Sequence, residues 1–296
     1  MAMRDYSRTV GSVTFDITNI LLMLILVFVM VYPFLFVVSR SVMTEGERAA
    51  RPYALIPTQG IDIQGYTYIL GAGSKVLTGY VITLFRTIVG TILSVLTEAM
   101  FAYAVSKKYY PMRSFLTVMI AFTLWFGGGM IPLFLVVRAV GLYNSIWVYV
   151  IVPLMGAWSI IIMRTFFSQL PDSLEESAKL DGANDVTILF RIVFPLSTAV
   201  LATMALFSVV YHWNEWFMGI IYVSNPDKVP VMVILYQILR QAARSIRDQT
   251  WEAQKVPPSV AIKMALIVVT AFPVVVAYPF FQKYFVKGML IGSIKG

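Results

Sequence analysis

Six separate stretches of mostly apolar residues, each about 20 long, limit this chain more than any other feature; they lie near residues 20–38, 84–105, 115–137, 145–167, 199–223 and 260–281. A helix needs roughly 20 apolar residues to cross about 30 Å of hydrocarbon. Backbone polar groups at that depth must also be satisfied within the segment, which a helix does by itself. The composition agrees: 59% of the residues are hydrophobic and 13% charged, against about 25% charged in a soluble domain. The expected fold class is therefore an all-α membrane protein with six transmembrane helices.

The basic leader before the first span contains Arg4 and Arg8 but the span lacks a small-x-small exit, so an uncleaved helix is expected. Three regions follow: residues 1–79 with the first span and a large polar loop, a core at 80–281 holding the other five spans, and a tail at 282–296. Gly127, Gly128, Gly129 and Pro132 should break the outer half of the third span, while Pro273 and Pro279 should kink the sixth. The net charge of +8 comes from Lys and Arg scattered through the loops. That pattern suits anionic lipid headgroups and not nucleic acid. The Lys and Arg bias of the loops is nearly balanced, so it does not orient the chain. There is no cysteine, which removes thiol chemistry and thiolate-ligated metals.

Between the fourth and fifth spans, residues 170–196 read LPDSLEESAKLDGANDVTILFRIVFPL. Ser173 and Glu176 have capping-box spacing, which predicts a short helix over 174–180. Gly182 suits the positive φ of a helix end, and Asn184 or Asp185 can cap a second helix leading into Phe190 and Ile192. The expected product is a helix-turn-helix at the membrane surface.

This segment resembles the cytoplasmic signature of permease subunits in binding-protein-dependent ABC importers, of the form E-A-A, three residues, G, nine residues, I-x-L-P. Glu176, Ser177, Ala178, Gly182, Ile192 and Pro195 fill its places, with Ser177 and Phe194 departing from it. The resemblance implies that Leu174, Glu176, Ser177, Ala178, Asp181, Gly182 and Ala183 form a coupling helix that docks into a separate ATPase subunit. Residues from about 80 onward look similar to the carbohydrate-uptake class of that family. Trp213, Asn214 and Glu215 resemble its Trp-Asn pair, and Gly288, Gly292, Lys295 and Gly296 resemble its ending. The long leader loop and the Glu-Ser-Ala variant resemble the branch associated with complex oligosaccharides and polysaccharide fragments.

The resemblance further implies a second permease chain, two ATPase subunits carrying ATP and Mg, an extracytoplasmic solute-binding protein, and a bacterial inner membrane with both termini cytoplasmic. No cofactor is expected on this chain, and it has no G-x-x-x-x-G-K-[ST] loop.

Charges within spans must face protein or water. Trp213, Asn214 and Glu215 are candidates for a sugar path, although interhelix packing or subunit contact is the commoner role for such residues. Glu98 reads as a polar clamp between helices, Arg86 and Lys263 as snorkelling side chains, and His212 as a packed residue, being the only histidine. Two other classes compete. A membrane-embedded transferase needs a cluster of acids or histidines, which is missing. An ion-coupled secondary transporter has only Glu98 and Glu215 to offer and no use for segment 170–196. Within the importer class, a peptide or amino-acid permease is the nearest alternative.

Overall fold

The computed structural model describes residues 10–71, 73–247 and 260–293, with side chains to 241 and from 260 to 279. The leader residues Arg4 and Arg8 and the tail residues Lys295 and Gly296 lie outside the described residues. Two compact units are drawn from Met1–Ile69 with Ser245–Val269, and from Leu70–Arg244 with Thr270–Gly296. All regular structure among the described residues is helical.

The first unit begins with α1 (Val10–Val42), an uninterrupted apolar helix, followed by α2 (Glu45–Ala50) and α3 (Gln64–Leu70). Thr44 caps α2. The Glu47 carboxylate, fully buried, closes the loop after it by accepting from the Thr58 amide and hydroxyl at 2.7 Å each and from the Gln59 amide at 3.2 Å. Those hydrogen bonds, the Thr58 hydroxyl foremost, hold its carboxyl below the usual carboxylate range. The loop at 39–60 is thus a tied structure and not a floppy linker.

The second unit is organised around α4 (Lys75–Ser106), started by Ser74, whose side chain accepts from the Val76 amide. Then come α5 (Arg113–Trp125), α6 (Met130–Ala139), α7 (Val148–Ile151), α8 (Ala157–Phe167), α9 (Asp172–Leu180), α10 (Asp185–Ile188), a π-helical turn at Leu189–Val193, α11 (Phe194–Leu196), α12 (Thr198–Asn214), α13 (Phe217–Tyr222), and the parts of α14 (Val231–Arg247) and α15 (Val260–Ser293) that lie up to Arg244 and from Thr270. Helix α4 packs against α12 and α8. Small residues make the first contact possible: a side chain added at Gly90 would meet the His212 ring at 2.5 Å. The core of this unit joins Ala99, Ala102, Tyr103, Ile160, Met163, Phe167, Ile188, Leu189, Val193 and Met204.

Three described helices are long and apolar enough to cross a membrane, or up to five if each of two bent pairs is one span. One pair is α5 with α6, bent by 117° across Gly127–Gly129, where Gly129 takes φ +84. The glycine break expected in the third span is therefore present. The other interruptions are less visible in hydropathy. The fourth apolar stretch is divided into α7 and α8 around Pro153 and Gly156, and the fifth into α12 and α13 at Glu215 and Trp216. In addition, residues 231–247, between the fifth and sixth apolar stretches, form a helix, α14, with Val231, Val233 and Ile234 buried.

Candidate functional site

Two interruptions of the second unit carry the polar chemistry. The first is the elbow between α9 and α10. Helix α9 starts at Asp172 with Pro171 at its N-cap and no side-chain cap. The capping box expected from Ser173 and Glu176 is not formed. Pro171, with φ −60, begins the turn two residues earlier and leaves Ser173 inside it. The C-terminal end is as expected: Gly182 takes φ +82, its amide donates to the Lys179 carbonyl at 3.0 Å, and the Ala183 amide donates to Ala178 at 2.9 Å. This is the Schellman arrangement, which needs a residue tolerant of positive φ at Gly182. Asn184 then caps α10, its side chain accepting from the Thr187 amide at 2.8 Å.

No residue of α9 is buried. Ala178 and Ala183 pack against the core, whereas Leu174, Glu176, Ser177, Leu180, Asp181 and Gly182 are exposed. The helix is attached from one side by charge. Lys107 pairs with Glu175, each side chain only 12% exposed, and stacks over Tyr103. Lys108 pairs with Asp172 at 3.4 Å and Lys179 with Asp185 at 3.2 Å, both in solvent. Lys179 also lies over the Tyr109 ring. The hydrogen bond to Asp185 leads the causes that raise the Lys179 pKa above the ordinary lysine value. The resemblance implies a role for Glu176; the acid facing the body is its neighbour Glu175, for which the Lys107-Lys108 pair closing α4 is the signal in the sequence.

After α10, Pro195 has no amide to donate and its ring crowds the preceding turn, consistent with the wide π-turn at Leu189–Val193 just before it. The chain then bends by 85° into α12.

The second interruption lies at the other end of α12. Arg86 of α4 is 1% exposed. Its guanidinium donates to the carbonyls of Trp213, at 3.3 Å, and Glu215, and pairs with the Glu215 carboxylate at 3.4 Å. Glu215 in turn accepts from the Met218 amide at 2.9 Å, capping α13. Arg86 therefore satisfies carbonyls freed where α12 ends, and Glu215 satisfies an amide where α13 begins. Such pairing is what keeps a broken helix tolerable away from water. Arg86 does not snorkel, because the break supplies acceptors within its reach.

Glu98 does clamp two elements, accepting from the Gly156 amide at the start of α8 at 2.7 Å. His212 is packed, 2% exposed, against α4. Of the three path candidates, Trp213 is 4% exposed and donates to the Thr270 carbonyl at 3.1 Å, Glu215 is held by Arg86, and only Asn214 is exposed. Two exposed aromatics follow Glu215 at the break, Trp216 and Phe217, and Trp216 is stacked on Tyr236 of α14 at 4.1 Å.

Residues 108–291 match the model of the family described as binding-protein-dependent transport system inner membrane component. The chain is 38% identical over 283 residues to the polygalacturonan/rhamnogalacturonan transport system permease protein YtcP of Bacillus subtilis, covering 95% of this chain and 98% of that one. Protein LplC of the same organism is 36% identical, covering 95% of each. Among solved structures, a chain of a bacterial ABC transporter involved in the import of the acidic polysaccharide alginate superposes with a TM-score of 0.83 at 30% identity, over 94% of this chain and 99% of that chain. The elbow, the broken apolar helices and these likenesses agree, and the chain belongs to the family of binding-protein-dependent transport system inner membrane components.

Proposed function

We propose that this chain is one of two permease subunits of an ATP-driven importer that carries an oligosaccharide across the cytoplasmic membrane. The sugar cargo is supported by relatives whose names specify saccharides, including the arabinooligosaccharide permease AraQ of Halalkalibacterium halodurans and the alpha-glucoside permease AglG of Rhizobium meliloti. In this reading six crossings are made by α1, α4, α5 with its extended continuation, α7 with α8, α12 with α13, and α15. Both termini and the 170–196 elbow face the cytoplasm. The loops at 39–80 and 224–259 face outward and receive the solute-binding protein.

The observation that carries the coupling role is α9 itself: a helix with no buried residue, attached to its own subunit through Lys107 and Glu175, with Leu174, Glu176 and Ser177 left free. A partner that grips this exposed surface pushes on the core through Ala178 and Ala183 and on α12 through the rigid turns that follow. ATP and Mg belong to that partner. Nucleotide-driven closure of two such partners switches the path between its inward and outward states.

Purification of the membrane complex through a tag on this chain tests the proposal. The native chain should bring down a second permease and an ATPase subunit. The Glu176→Lys, Gly182→Arg double variant should retain the permease and lose the ATPase. A native chain that retains no ATPase in mild detergent would contradict the importer reading.

A further inference from the structure

Trp216 lies in the interruption of the fifth apolar stretch. It sits where α12 gives way to α13, and the Arg86 and Glu215 pair fixes the backbone on either side of it. One face lies parallel to Tyr236 of α14 at 14° and 4.1 Å, while Phe217 meets it edge-on at 90°. Even so, Trp216 remains 37% exposed. A backed, rigid ring with an accessible surface is a suitable platform for the apolar face of a pyranose, and its stacking costs little entropy because the indole is already held.

The surroundings of this platform are polar. Helix α14 buries Val231 and Ile234 beside Gly79 of α4 and presents Gln237, Arg240 and Gln241 to solvent. Arg240 stands four residues beyond Tyr236, one helical turn along on the same face. Arg240 has no acidic partner among the described residues. A charged side chain is costly on a face that lipid covers, which argues that this face meets water or solute instead.

We infer that Trp216 and Tyr236, with Gln237 and Arg240, form a saccharide subsite for an acidic sugar unit, the indole covering the ring and Arg240 pairing with its carboxylate. This rests on the importer reading above and adds to it the class of cargo, an oligouronate. The guanidinium suits that partner because it donates two parallel hydrogen bonds to a carboxylate. The alginate importer whose structure resembles this chain carries an acidic polysaccharide, in keeping with that class.

The test uses cells in which each variant replaces the native chain, with uptake of labelled trigalacturonate compared with uptake of its methyl ester, a neutral sugar of nearly the same shape. Trp216→Ala should lower uptake of both by about 10-fold, as expected for loss of roughly 1 to 1.5 kcal/mol of ring contact. Arg240→Gln should lower uptake of the acid by about 10-fold, in line with roughly 1.5 kcal/mol for a hydrogen bond to a charged group, and spare the ester. Arg240→Lys should restore part of the acid uptake. The complex purified from each strain should keep all its subunits.

Equal losses of acid and ester in Arg240→Gln, unchanged uptake in Trp216→Ala, or a complex that loses its second permease would overturn the subsite; the last result would make this surface a subunit contact. If native cells take up neither sugar while the complex with its ATPase remains intact, the acidic cargo is wrong and the importer stands. If the ATPase is absent as well, the importer reading falls with it.

Discussion

The elbow at 181–184 and the break at 215–216 both interrupt a helix, yet they are held in opposite ways. The elbow is closed by backbone geometry at Gly182 and by charged pairs that are mostly in solvent. The break is closed by a guanidinium that is 1% exposed and bonded to two carbonyls and a carboxylate. Solvated pairs contribute little and exchange partners readily, whereas buried groups left without a partner are costly. The difference separates a surface that can be handed to another protein from a joint that belongs to the subunit's own frame.

The largest effect should therefore come from the break. Arg86→Met leaves the Glu215 carboxylate and two carbonyls without their donor, and about 3 to 5 kcal/mol of stability should be lost. Thermal unfolding of the purified chain in detergent reads this, and adding Glu215→Gln should recover part of the loss. A wild-type melting curve for Arg86→Met would remove the distinction between the two interruptions.

At the elbow, Gly182→Val forces a branched side chain to φ +82, at a cost of about 1 to 2 kcal/mol. It should lower ATPase association more than it lowers stability of the isolated chain, which pull-down and melting compare directly. Lys107→Met removes the one partly buried pair of α9 and should cost about 1 kcal/mol, while Lys108→Ala, whose partner is solvated, should change the melting temperature within error.

The smallest effect concerns Lys179. Its pKa is raised in the folded state, so below the ordinary lysine value the lysine is charged in both states and its stabilisation is complete; the contribution fades as pH rises through the raised value. Hydrogen exchange across α9 should therefore loosen slightly on the alkaline side, after correction for the intrinsic rate, and Asp185→Asn should weaken that pH dependence, leaving the part due to Tyr109.

Much of this was legible in the sequence. Gly182 and Asn184 announced the elbow because each backbone requirement there has few residues that meet it. The apolar stretches were equally plain, but their interruptions were not. Hydropathy averages over a window, so Pro153 with Gly156, and Asn214 with Glu215, disappeared into apolar runs although each is a local signal for a break. Helix α14 was hidden for a related reason. Its apolar residues Val231, Ile234 and Ile238 alternate with Gln237 and Arg240 at helical spacing, giving a mean near neutral that reads as loop. The Arg86 and Glu215 pair required reasoning between spans: two opposite charges, each expensive alone in an apolar helix, are cheapest together. The Ser173 cap failed because Pro171 competed for the same turn.

The central claim, that α9 is the surface through which an ATPase partner acts, has a direct test because the chain contains no cysteine. Ser177→Cys places a unique thiol on the exposed face of α9, and Asn214→Cys places one at the exposed end of α12. Each can be labelled with a photoactivatable maleimide in native membranes. The account predicts an adduct with an ATPase subunit from position 177 alone, its yield changing when ATP is added. An adduct from position 214 with the same subunit, or none from 177 while the intact complex is present, would contradict it.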